Sequence, residues 1–375
     1  MVRSVSSEKP LVNNSKFGIN SLNQQRSLLL FYSAIKSEKT KKQYEIFLDE
    51  FLRYFIIKNY DKLSQIDPKK LQEMIEDFVM YDKSRNKSAS YISGKVSALK
   101  LFFSMNDVTL NWVKIRKMLP EKTKPSGDTA YSTEQVQVLL KNTAYPEYKA
   151  LIHFMSASGV RVGCFEELKI KDLTDMGNSC KCVKVYADTR HEYFTFIHYE
   201  AVQALNEYLD SRKKNGEQIT DDSWVFCSPY DSTKPFLSMT ITSTLGRYVK
   251  KFIGREKSKS GRYYIMSCHG FRKRFDTVLK SNRMVNISLA ERLMGHSKTI
   301  PLDNSYFKPA IEQLFDEYQK AIPQLIIDEK YRLEEELKNK DEQIHNLESD
   351  KDRRMDSLEI MIHALAKRLE KREND

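Results

Sequence analysis

The stretch that decides the fold runs from Ser267 to Pro309, SCHGFRKRFDTVLKSNRMVNISLAERLMGHSKTIPLDNSYFKP. Phe271, Phe275, Val278 and Leu279 recur at helical spacing and should face a core. His269, Arg272 and Asp276 then share another face, because residues three and four apart are neighbours on a helix. Ser288-x-x-Glu291 reads as a capping box opening a second helix, with Leu289, Leu293 and Met294 on its apolar side. Gly295 stands where a helix ends in a left-handed residue, so His296 should leave that end in a fixed direction. Pro301 and Asp303 mark a further break, and Tyr306 is expected in another short element.

These residue types suit attack on a phosphate. An arginine fork grips two phosphate oxygens with charge-assisted hydrogen bonds. Histidine donates protons or hydrogen bonds near neutral pH, and tyrosine can serve as a covalent nucleophile. The competing reading is a basic surface helix with two incidental histidines. That reading is the better one for any single residue, but packing alone rarely orders the whole series in this way.

The stretch closely resembles box II of the tyrosine recombinase (phage integrase) family. His269-Gly270-Phe271-Arg272 matches its H-x-x-R motif, Gly295-His296-Ser297 its G-H-S motif, and Tyr306 lies where its nucleophile is expected. Upstream, Ser158-Gly159-Val160-Arg161 matches the first arginine motif. The resemblance covers about Asp128 to Ala321 well and the helical region before it loosely, with the archaeal integrase branch as one place for the chain. It implies a site-specific DNA recombinase that cleaves and rejoins double-stranded DNA at attachment-type sites through a 3′-phosphotyrosyl intermediate. Arg161 and Arg272 would hold the phosphate, His269 would assist proton transfer, His296 would hydrogen-bond the phosphate, and Tyr306 would attack. The family has an acidic residue three positions after the first arginine; here that position is Cys164, with Glu166 and Glu167 following as candidates to replace it. The family also carries a lysine general acid on a β-hairpin. Asp188 stands at that position, which leaves Lys184 or Arg190 as candidates, and His191 beside them.

Composition narrows the class independently. The 375 residues suffice for two domains and a tail, and 62 Lys+Arg against 51 Asp+Glu give a net charge of +11. That balance favours an anionic partner, nucleic acid or a membrane surface. No apolar run is long enough for a membrane span, and the polar N-terminus MVRSVSSEKPLVNNSKFG lacks a signal-peptide core. Five cysteines form no even framework, which points to a reducing, cytoplasmic setting, nucleoid-associated in a prokaryote. No Walker-type glycine loop, zinc-ligand spacing or carboxylate cluster for a metal is evident, so no cofactor is expected.

The chain is expected to be mainly α with a small β-sheet. Residues 1–22 read as a flexible N-terminus and 23–119 as a helical domain resembling the core-binding domain of the family. Residues 120–129 form a linker, 130–327 an α+β catalytic domain and 328–375 a C-terminal helix with coiled-coil character. In the helical domain Thr40-x-x-Gln43 reads as a capping box, within a helical pattern from Gln24 to Phe55. Asp67-Pro68 is an N-cap followed by proline at the first helical position. Lys83, Arg85, Lys87, Lys95 and Lys100 crowd the start and outer side of a helix over 88–105, as a DNA-contacting patch or as a solvated surface. Further on, Ser132-x-x-Gln135 caps a helix, 181–187 and 193–197 alternate as strands, Trp224–Cys227 reads as a buried strand, and Ser238–Phe252 as a helix followed by the basic loop 254–262. In the tail, Leu337, Ile344, Leu358 and Leu365 fall on one heptad position and Leu333, Leu347 and Met361 on another. Lys340, Lys351, Arg354 and Arg368 interrupt this imperfect coiled coil. It suggests self-association, as a tetramer in synapsis on DNA. Two further readings stand beside recombination: relaxation of supercoils by a type IB topoisomerase-like monomer, and a non-catalytic DNA-binding scaffold.

Overall fold

The computed structural model describes residues 25–121, 129–257, 263–296 and 309–373, apart from some side chains of the last helix. The expectations for residues 1–22, for most of the 120–129 linker, for part of the 254–262 loop, for Ser297 and for Tyr306 lie outside the described residues. The chain divides into two units at Lys124/Pro125.

The first unit is helical: α1 (Arg26–Ser33), α2 (Glu38–Tyr54), α3 (Tyr60–Ser64), α4 (Pro68–Ser84), α5 (Ala89–Met105) and α6 (Trp112–Met118). Polar side chains start these helices by taking up free backbone amides. Asp67 accepts from the amides of Lys69 and Lys70 at 3.0 and 3.1 Å, and Ser88 from that of Tyr91 at 3.2 Å. The 24–55 pattern is broken into two helices, and α2 starts at Ser37, whose hydroxyl accepts from the Thr40 amide. The Thr40-x-x-Gln43 capping box is therefore corrected: both residues lie inside α2. Phe31, Phe51, Phe78, Phe102 and Phe103 fill the core.

Lys95 is a second correction. It is not on the outer side of α5 but only 4% exposed. Its ammonium lies 2.6 Å from Glu50 on α2 and 2.9 Å from Asp82 on α4, with the rings of Phe78 and Tyr91 at 4.5 and 4.8 Å. Burial lowers its pKa, but the Glu50 and Asp82 carboxylates outweigh that and raise it above the ordinary lysine value. Lys95 thus ties three helices together and is removed from the DNA patch. Lys83, Arg85 and Lys100 are exposed and Lys87 half-buried.

The second unit opens with α7 (Thr133–Lys141) and α8 (Pro146–Ser158), followed by a 3₁₀ turn (Val162–Glu166). The Ser132/Gln135 capping box forms in both directions, at 3.2 and 3.0 Å. Strands β1 (Leu173–Asp175), β2 (Lys181–Val185) and β3 (Tyr193–Ile197) make an antiparallel sheet in that order, with Val183 opposite both Leu173 and Thr195. Then come α9 (Tyr199–Lys214), β4 (Cys227–Ser228), β5 (Asp231–Pro235), α10 (Ser238–Phe252), α11 (His269–Ser281), α12 (Ile287–Leu293), α13 (Ile311–Gln319), α14 (Ile322–Leu325) and α15 (Glu329–Glu373). The strand expected over Trp224–Cys227 is shorter and later; Val225 and Phe226 are buried, Trp224 makes an isolated antiparallel bridge with Lys169, and Cys227 and Ser228 form the strand that pairs with β5. The fold is mainly helical with a small antiparallel sheet, as expected.

One core gathers around α8, α9 and α10, with Phe154, Phe165 and Phe226 packed edge to face. A second lies beneath α11, α12 and α13, where Phe275, Leu293 and Tyr318 meet Phe196 of β3. Beyond α14 the chain is held by buried polar groups. The Glu200 carboxylate accepts from the amides of Ile327 and Asp328 at 3.0 and 2.7 Å, and the Arg274 guanidinium donates to the carbonyls of Gln324 and Leu325 at 3.2 Å. His153 and His198 lie in the same interior, and burial lowers their pKa values to about 4 and about 3.

Two outcomes are expected from these interiors. Replacing Lys95 with Ala leaves Glu50 and Asp82 as uncompensated carboxylates, one of them deeply buried, and should destabilise the first unit by about 3–5 kcal/mol; urea unfolding measures it, and a change below about 1 kcal/mol would contradict the account. His153 and His198 are held neutral in the fold, whereas the unfolded chain binds protons at them below about pH 6.5. Stability of the second unit should therefore be fully present above that pH and fall toward pH 4, by up to about 1.4 kcal/mol per pH unit for each histidine. His198→Phe should remove part of that slope, as followed by unfolding at pH 7, 6 and 5.

Candidate active site

The site is assembled where helices end. Helix α8 stops at Gly159 in the left-handed region, φ +60°, where a Cβ would lie 2.3 Å from the Phe275 ring. Only glycine meets both demands. The chain then turns outward, and Arg161 stands exposed at the mouth of the 3₁₀ turn. Helix α12 ends in the same manner at Gly295, φ +60°, with a would-be Cβ 2.5 Å from the Tyr193 ring. The ring of His296 follows directly.

Arg272 joins these two ends. It is 4% exposed on α11, with Nη1 donating to the Gly159 carbonyl at 2.7 Å and Nη2 donating to the Met294 carbonyl. Burial, together with the nearby Arg161 cation, pulls its pKa below the usual guanidinium value, although the neighbouring Tyr193 partly offsets this. His269, one turn earlier, is the first residue of α11 and is exposed.

Helix α12 does not open at Ser288. Its N-cap is Asn286, whose side chain accepts from the amides of Ser288 and Leu289 at 2.9 and 3.4 Å. The expected Ser288-x-x-Glu291 capping box is thus corrected, and Glu291 is released for another task. It is 8% exposed, and its Oε2 lies 2.7 Å from His296 Nδ1. The Glu291 backbone carbonyl also accepts from the His296 amide at 3.0 Å. Lys280 of α11 pairs with the Glu291 carboxylate and, at 2.9 Å, with Asp276. A carboxylate cannot donate, so the Nδ1 proton belongs to histidine and Nε2 is left for a ligand.

His296 and Arg161 line one cavity of about 1180 Å³, together with Glu167, Arg190, His191, Arg292 and Pro309. The lining is thus rich in guanidinium groups and suits an anion. The structure therefore brings Arg161, His296 and Arg190 to one cavity, with Arg272 locked between their supports. It does not bring Lys184 there: the Lys184 ammonium is held by Asp188 and Glu192, both at 3.2 Å, and these carboxylates raise its pKa. Of the two carboxylates expected to replace the acidic residue, Glu166 accepts from the Ser238 amide at 2.8 Å and from its hydroxyl, and so caps α10. Glu167 lines the cavity, while the Cys164 thiol is buried and pushed up well above its usual pKa by that burial. Glu291 and Arg292 were not legible as site residues, because nothing in their spacing separates them from an ordinary helix start. Pro309, three positions after Tyr306, lines the same cavity as His296.

Residues 131–311 match the model of the phage integrase family. The chain is 25% identical over 321 residues to the tyrosine recombinase XerC of Leptospira interrogans serogroup Icterohaemorrhagiae serovar copenhageni, covering 82% of this chain and 96% of that protein. Its fold is similar to that of the Tn1549 transposon integrase in complex with circular intermediate DNA, with TM-score 0.52, 18% identity, and 78% and 99% of the two chains covered. It is also similar to a lambda integrase dimer bound to a COC′ core site, with TM-score 0.51, 17% identity, and 76% and 97% covered.

The Glu291 contact generates a test. Glu291→Ala should free the His296 ring and lower single-turnover DNA cleavage about 10-fold or more, on the scale of losing a carboxylate that orients a histidine. In a His296→Ala background the same change should have almost no further effect, and additive losses would show that Glu291 acts only on the stability of α12.

Residues 131–311 thus carry a phage integrase family domain, and over 321 residues the chain is a homologue of a tyrosine recombinase.

Proposed function

We propose that Tyr306 attacks a DNA phosphodiester held in the Arg161–His296 cavity, forming a 3′-phosphotyrosyl link and releasing a 5′ hydroxyl. Attack by that hydroxyl on the link restores a phosphodiester and completes strand exchange. The link keeps the energy of the broken bond, so rejoining needs no nucleotide. The observation that carries this reading is the convergence of Arg161 and His296 on one cavity, with Arg272 fixing the ends of both supporting helices.

In this reading Arg161 binds a nonbridging oxygen and stabilises the charge that grows in the transition state. Arg272 holds two backbone carbonyls and offers its remaining N–H groups from a position that cannot drift. His296 presents Nε2, and His269, one turn before Arg272, assists proton transfer. On the leaving-group side, Lys184 is a poor candidate because two carboxylates hold both its ammonium and its proton. Arg190 lines the cavity and supplies charge, but a guanidinium is a poor proton donor. His191, whose Nε2 accepts from Arg190 Nε at 3.1 Å, then keeps its ring proton on Nδ1 and is the candidate donor on that side.

The first unit supplies the second DNA-contacting surface, through Lys83, Arg85, Lys87 and Lys100 without Lys95. The enzyme works in the cytoplasm, where its DNA lies, and assembles on that DNA for synapsis. No helix among the described residues is long and apolar enough to cross a membrane.

Tyr306→Phe removes only the hydroxyl and should abolish the covalent protein–DNA adduct on nicked site DNA while leaving the dissociation constant within about twofold, a small fraction of the ~1.4 kcal/mol that a tenfold change represents. An adduct that persists in this variant refutes the assignment. Arg161→Ala should slow single-turnover cleavage about 100- to 1,000-fold with little change in binding, and wild-type cleavage by that variant would remove Arg161 from the site.

A further inference from the structure

Helix α15 is 45 residues long, and its first turn is fixed to the second unit. The Asp328 amide donates to Glu200, the Tyr331 hydroxyl donates to Gln203, and the Tyr331 ring lies 5.5 Å from that of Tyr199. From Leu333 onward a row of apolar side chains faces outward, with Leu337, Ile344, Leu347, Met355, Leu358 and Ile362 each more than half exposed. Water is a poor neighbour for so long a seam, and covering it removes apolar surface from solvent.

The spacing of that seam says what covers it. Taken in order, it runs through Leu333, Leu337, Lys340, Ile344, Leu347, Lys351, Met355, Leu358 and Ile362, and the sequence continues it at Leu365 and Leu369. The steps alternate between four and three residues on either side of Lys351, where two four-residue steps meet. This is a heptad repeat with one stutter. The stutter falls at Lys351, the midpoint of Glu329–Glu373, so the seam reads the same from either end of the helix. A two-fold axis perpendicular to the helix at Lys351 therefore superposes seam on seam. Leu347 then faces Met355 of the second copy, Ile344 faces Leu358, and Lys340 faces Ile362.

Charge selects the same orientation. Residues 329–350 hold eight Asp and Glu against four Lys and Arg, whereas residues 351–373 hold seven Lys and Arg against five Asp and Glu. Antiparallel pairing lays the acidic half of one helix on the basic half of the other. Parallel pairing in register would set acidic on acidic and would bring both Lys340 and Lys351 against their own copies. In the antiparallel pair only Lys351 meets itself, between Asp350 and Asp352 of both chains.

We infer that two copies of this chain pair through α15 as an antiparallel coiled coil centred on Lys351. The partner is a second copy, because the symmetry is internal to one sequence. The roots of the two helices then lie about 65 Å apart, at 1.5 Å of rise per residue. Such a strut joins catalytic units that do not touch at their tails. The pairing is independent of the chemistry in the Arg161 cavity.

The test uses the full-length protein carrying Asp341→Cys, a substitution at an exposed position, labelled with a nitroxide; the five native cysteines are all buried, and the unsubstituted protein is the labelling control. Dipolar electron spin resonance should give a separation of about 30 Å between labels ten residues from the axis, and sedimentation a dimer or higher multiple. In a parallel pair the labels would sit within about 20 Å, since paired helices lie 8–10 Å apart. Adding Ile344→Lys and Leu358→Lys should abolish the dipolar signal. A short separation, a monomer with no dipolar signal, or a signal that survives the two lysines would each overturn the inference.

Discussion

The buried guanidinium of Arg272 is the interaction on which the second unit depends. Its hydrogen bonds to Gly159 and Met294 close the ends of two helices that are far apart in sequence. The residues that follow those ends, Arg161 and His296, thereby reach the same cavity. Helix ends leave carbonyls without partners, and a buried one must find a donor. Arg272 satisfies two such carbonyls at once, so folding and positioning rest on the same bonds. A lysine there would be a point charge on a flexible stem and could not hold both carbonyls in one plane.

The other supports of the cavity follow the same logic of pairing charge before using it. Glu291 is fixed by Lys280, and Lys280 by Asp276, so His296 is aimed by a chain of ion pairs that runs back to the helix carrying Arg272. Glu166 is spent on the N-terminus of α10, and Lys184 is held by Asp188 and Glu192. Arg161 and Arg190 stay at the cavity wall. The division between structural and cavity-facing charges is set by these contacts and not by residue type.

Much of this was legible in the sequence because local rules act over a few residues. Gly295 marked a left-handed helix end, Ser132 and Gln135 formed their capping box, and the helix over Ser238–Phe252 formed where it was read. Reading failed where a partner lay far along the chain. Lys95 stands among basic neighbours, and its carboxylates lie 45 residues before it, at Glu50, and 13 before it, at Asp82. Glu291 fitted a capping box on paper, but the helix begins two residues before Ser288, at Asn286, whose short side chain accepts from the amides of Ser288 and Leu289. Local pattern also could not tell which of Glu166 and Glu167 would face the cavity, because they are adjacent on a 3₁₀ turn that points them apart.

The central claim is that this cavity cleaves DNA through a tyrosine and conserves the bond as a 3′-phosphoester. The most direct measurement traps the protein on nicked site DNA, digests the complex and identifies the modified peptide and the DNA end by mass spectrometry. The account predicts a single nucleotide adduct on Tyr306, joined through the 3′ phosphate, with a free 5′ hydroxyl on the released strand. Attachment to another residue, or linkage to the 5′ end, would contradict it.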